Sequence, residues 1–144
     1  MDTGLQHLHS YLAYLVLAGV LISVIVALAG WFGNKPFTDK DRKMGLLGLI
    51  PAHLQWVIGI ILYFVSPLGI ASANEGFMKN SVARLYVLEH PLMMILAVVL
   101  ITIGYSKAKR QVGTGNGFKS IAIFYGIALV LILSRIPWAT WPGN

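Results

Sequence analysis

The chain has 144 residues, 57% hydrophobic and 11% charged, with no cysteine and a net charge of +6. Soluble domains carry about a quarter charged residues, so the composition is that of an integral membrane protein. The lack of cysteine excludes disulfides, thiolate metal sites and the Cys-x-x-Cys-His attachment of c-type haem. Any haem must therefore be held non-covalently.

Four apolar stretches reach the roughly 20 residues a helix needs to cross a bilayer. The first runs from about Leu8 to Phe32. No Lys or Arg precedes Lys35, and the run exceeds the 7–15 residues of a signal-peptide core, so it is expected to stay in the mature chain. The second runs from Gly45 to Ser66, the third from Arg84 to Tyr105 and the fourth from Lys119 to Trp138. Runs such as Leu15 to Ile22 do not alternate in polarity, which argues against barrel strands.

The linkers carry turn and charge signals: Gly33 to Pro36 with Asp39 to Lys43, Pro67 to Ser81, and Lys107 to Gly117. Such short connections place successive helices antiparallel. The expected architecture is all-α, a single-domain integral membrane four-helix up-down bundle.

Eight of the 11 basic residues lie in or beside the first and third loops: Lys35, Lys40, Arg42, Lys43, Lys107, Lys109, Arg110 and Lys119. By the positive-inside rule that side is cytoplasmic, so both termini face outward from a bacterial inner membrane. The same residues are explained by topology and anionic lipid, so no nucleic-acid partner is expected.

Three of the four histidines, His9, His53 and His90, sit in or at the edge of apolar runs. An ionisable ring in hydrocarbon is costly and marks a candidate functional site. His9 falls near the outer end of the first span, His53 mid-way along the second and His90 about six residues inside the third. His7 points away from His9 and can reach interfacial water.

Arg84 and Arg135 lie at the same outward end, near the interfacial aromatics Tyr86, Trp138 and Trp141. Two imidazoles from facing helices and two rim cations form the set that a b-type haem requires, as axial ligands and propionate partners. Tyr86, His90, Met93, Met94 and Ala97 recur at spacings of three and four and share a helical side.

Pro91 removes a backbone donor and is expected to kink the third helix beside His90. Glu89 is expected first to pair with Arg84 or Arg135, and second to handle protons. In the second span His53 and Gln55 are about 200° apart around the helix, whereas Gln55 and Gly59 share a face. One polar residue then lines the core and the other a helix contact.

The run Gln55 to Leu62 resembles the Gln-x-x-Leu-Gly segment of haem A synthase, a membrane enzyme that oxidises haem O. In that family each four-helix half flanks this glutamine helix with a histidine pair, and the resemblance implies that His9 and His90 are axial ligands. Ser10 stands where that family has an arginine, and the chain is half the family's length. The His-Leu-His-Ser, His-x-Gln, Glu-His and Ile-Pro-Trp patches are similar to small four-helix bacterial membrane proteins described as cytochrome b-like, which implies haem.

The ligand pair is therefore His9 with His90, with His53 and His90 as the competing pair. Depth counting leaves an offset near 10 Å between any two of the histidines, by about 1.5 Å per residue, which helix or haem tilt must absorb. Bis-histidine haem favours electron transfer, with a quinone or a redox protein as partner and oligomers open. The alternatives are a cofactor-free accessory subunit of a membrane complex, a haem A synthase-like enzyme, and a three-histidine copper or zinc site.

Overall fold

The computed structural model describes residues 2–142. Four long helices dominate: α1 (Asp2–Phe32), α2 (Asp39–Val65), α3 (Ser81–Lys109) and α4 (Asn116–Ser134). All four are long and apolar enough to cross a membrane, and the described residues contain no strand. Each helix packs against its two ring neighbours, in the order α1, α2, α3, α4 and back to α1, with α2 and α3 the least closely packed pair.

The helices start and stop for local reasons. Thr38 caps α2 through a reciprocal pair, its hydroxyl accepting from the Asp41 N–H and the Asp41 carboxylate accepting from the Thr38 N–H. Asp39 to Lys43, expected in the loop, thus form the first turn of α2. Asn80 caps α3 by accepting from the N–H groups of Val82 and Ala83. α4 ends at Ser134 instead of the expected Trp138, because Pro137 disfavours helical geometry at the residue before it.

Apolar residues lie on both sides of the helices. Ala27, Ala52, Ala97, Ala108 and Ala128 are buried beside larger residues such as Ile101 and Tyr125, while Leu15, Ile25, Phe64, Val99 and Val130 face outward. Small residues let helix backbones approach closely where lipid supplies no hydrophobic drive. A Cβ on Gly19 would overlap the Leu47 carbonyl oxygen of α2. That carbonyl lacks its usual helical donor because Pro51 has no N–H.

The end holding the first and third loops is locked. Phe37 is fully buried and meets Phe118 edge-on at 5.0 Å between ring centres. The Phe37 N–H donates to Thr114 O and the Gly113 N–H to Phe37 O, both at 2.6 Å. Deeper in, the Tyr125 hydroxyl donates to Gly45 O at 2.7 Å and Arg42 donates to the Tyr105 hydroxyl at 2.6 Å.

Candidate functional site

His9 of α1 and His90 of α3 meet across the bundle diagonal, at the end opposite the locked loops. Their ring centres are 6.2 Å apart and their planes lie 83° from parallel. The depth offset near 10 Å is thus corrected for this pair. α1 begins at Asp2, not Leu8, so polar residues left out of the hydropathy window extend the helix and carry His9 deeper.

The approach to His90 is shaped by Pro91. α3 carries a π-helical segment at Leu85–Glu89, directly before His90. π-bulges absorb an extra residue within a helix and often mark functional places. Without an N–H, Pro91 leaves the Val87 carbonyl unclaimed, and the Tyr63 hydroxyl of α2 donates to it at 2.9 Å. The kink expected from sequence takes the form of a π turn stitched to α2.

The partners of each ring set what it can do. His90 Nδ1 lies 2.8 Å from Arg135 O, one of the carbonyls that a helix C-terminus leaves without an intrahelical donor. That contact makes Nδ1 the protonated nitrogen and leaves the Nε2 lone pair free. A backbone carbonyl on the distal nitrogen is the usual orienting contact of a metal-ligating histidine.

His9 packs on α2, where a Cβ added at Gly59 would come within 3.3 Å of its Cε1. Gln55, one turn away on the same face, donates from Nε2 to His9 O at 2.7 Å. His9 Nδ1 and Gln55 Oε1 are buried without a hydrogen-bond partner. Buried polar atoms are nearly always satisfied, so this pair of orphans marks a place the protein alone does not complete.

The charged residues form a bridge at the same end. Arg84 Nε donates to Glu89 Oε2 at 2.8 Å and Arg135 Nε lies 3.8 Å from Oε1. Glu89 therefore pairs with both arginines. Arg84 also donates to Met78 O in the long loop. The C-terminal segment folds over this end: Tyr86 and Thr140 hydroxyls lie 2.9 Å apart, and Trp141 Nε1 donates to Ser10 O at 3.3 Å. Tyr86 thus holds that segment.

His53 lies elsewhere. Its Nε2 is 3.2 Å from Thr102 Oγ1, and Thr102 is 12 residues beyond His90, about 18 Å along α3. The competing pair of His53 with His90 is not brought together. Of the two polar residues of α2, Gln55 faces α1 and His53 faces the α2–α3 groove. No group of three metal-ligating side chains converges among the described residues, so three histidines do not gather for copper or zinc. His7 is exposed, stacked against exposed Tyr11.

The spacing of His9 and His90 is that of two imidazoles that would hold one metal atom, such as a haem iron, between them. An atom in line between two imidazoles, with metal–nitrogen bonds of about 2.0 Å and about 1.1 Å from nitrogen to ring centre, sets the rings roughly 6.2 Å apart. The observed separation equals that span, and His90 presents a free Nε2. Comparison of the chain with family models, curated proteins and solved structures finds no match.

Proposed function

We propose that the chain is a haem b-binding cytochrome of the bacterial inner membrane, with both termini outward, that moves electrons through a haem held by His9 and His90. The observation that carries this reading is the 6.2 Å separation of the two rings across the bundle diagonal. The resemblance read from the Gln55 to Leu62 run and the histidine patches implies the same cofactor. Haem with two histidine ligands supplies one-electron transfer and keeps no open position for oxygen.

The chain's own residues have separable tasks. Arg135 O orients His90 and fixes its tautomer, while Gly59 leaves room for the His9 ring and Gln55 holds the α1 backbone that carries it. Arg84 and Arg135 share one negative charge on Glu89, so two cations meet one anion at the rim. The uncompensated positive charge suits one propionate. The segment carrying Thr140 and Trp141 ties α3 to α1 across that end of the bundle.

A second reading has its own support. Gln55 to His9 O, His90 to Arg135 O and Trp141 to Ser10 O are bonds between segments that hold a bundle without any cofactor. It makes the chain an accessory subunit. The 6.2 Å spacing of the His9 and His90 rings favours the cytochrome.

The test is the reduced-minus-oxidised spectrum of the purified protein with a pyridine haemochrome assay. A sharp low-spin b-type band, with close to one haem per chain, is expected. A colourless protein after haem-replete expression overturns the cytochrome in favour of the accessory subunit.

A further inference from the structure

The groove between α2 and α3 encloses about 250 Å³ and is lined by His53, Trp56 and Thr102 together with the apolar Ile95, Val99 and Ile103. Trp56, Val99 and Ile103 are each more than a third exposed on the outer face of the bundle. The groove therefore opens sideways, toward lipid in a membrane. His53 and Thr102 are its polar side chains, the first near the middle of α2 and the second in the last third of α3.

Their hydrogen bonds leave one proton missing. His53 Nδ1 is 2.8 Å from Leu49 O, Thr102 Oγ1 is 2.7 Å from Val98 O, and His53 Nε2 is 3.2 Å from Thr102 Oγ1. A neutral imidazole carries one N–H and a threonine one O–H, so two protons serve three contacts. The carbonyls of Leu49 and Val98 can only accept, and the two short contacts to them take both protons. The longest contact is then left between the Nε2 and Oγ1 lone pairs. Lipid offers no water to supply the third proton.

We propose that this groove is a binding site, entered from the bilayer, for a lipid-soluble phenol whose hydroxyl donates to His53 Nε2. The indole of Trp56 supplies an aromatic wall for the ring, and the volume holds one substituted ring with its tail left along the helices. A membrane hydroquinone has this chemistry, and in naming such a partner for electron transfer the inference rests on the cytochrome reading. Binding itself needs no haem, so either can fail while the other stands.

The experiment titrates the full chain in lipid nanodiscs with a bromine-bearing alkylphenol, whose heavy atom quenches nearby tryptophan fluorescence. The Trp56→Phe variant identifies the share of emission that belongs to Trp56. Saturable quenching is expected, at least about tenfold weaker for the methyl ether of the same probe, which has lost its donor. His53→Phe is expected to weaken phenol binding to the level of the ether. Equal affinity for phenol and ether in the wild-type chain overturns the proposal, whatever the variant does. Equal affinity for a brominated aliphatic alcohol of the same length overturns its aromatic part.

Discussion

The two ends of the bundle solve the same problem differently. At the basic end, polar groups meet protein partners: the Thr38 and Asp41 pair, the Phe37 backbone against Thr114 and Gly113, and Tyr125 on Gly45 O. Phe37 and Phe118 close the space between them. At the opposite end, two buried atoms, His9 Nδ1 and Gln55 Oε1, have no partner, although the segment carrying Trp141 covers the site. The basic end is thus tied together by its own hydrogen bonds, while the other keeps buried hydrogen-bonding capacity that the bundle leaves unmet.

Substitutions at the two ends should therefore separate haem content from stability. The largest effect is expected from His90→Ala, which should lower haem per chain by more than about tenfold, read by haemochrome assay, while the chain still inserts and the basic end still packs. Gly117→Leu should do the reverse. A Cβ at Gly117 already overlaps the Phe37 ring, so the variant should lose about 3 kcal/mol of stability, read as a lower denaturation midpoint in detergent. Its folded fraction should keep its haem.

Smaller effects refine the contrast. Tyr125→Phe removes the donor to Gly45 O and should cost about 1 kcal/mol with no change in the spectrum. Tyr63→Phe removes a comparable bond, but to Val87 O in the π turn before His90. It should cost a similar amount, about 1 kcal/mol, and also shift the haem's reduction potential, which a redox titration reads. His7→Ala, on the exposed face with Tyr11, should change neither property.

The four spans were legible because apolar length alone identifies a membrane-crossing helix. The helix ends were less so: Asp2 to His7 are too polar for a hydropathy window yet continue α1, and the Thr38 cap draws charged Asp39 to Lys43 into α2. That undercounting produced the apparent offset between His9 and His90. The polar end was visible from Arg84, Glu89, His90 and Arg135, which fall together in any antiparallel arrangement. Their pairing was visible in part, because Glu89 had two arginines within reach.

The rest depends on neighbours that sequence does not name. Pro91 signalled a disturbed helix, but the π turn and the Tyr63 bond to Val87 O require α2 to be in place. Thr102 gave no signal, since a threonine in an apolar run commonly bonds its own helix, as it does here to Val98 O. Only the register of α2 against α3 brings His53 to it. The orphaned atoms of His9 and Gln55 are likewise a property of the packed bundle.

Electron paramagnetic resonance of the oxidised protein decides whether His9 and His90 together hold a haem. Imidazole planes 83° apart leave two iron d orbitals nearly degenerate, so the account predicts a low-spin ferric signal of strong anisotropy, lost in both His9→Ala and His90→Ala. An unchanged low-spin signal in either variant, or no haem iron in a chain expressed with ample haem, would contradict it.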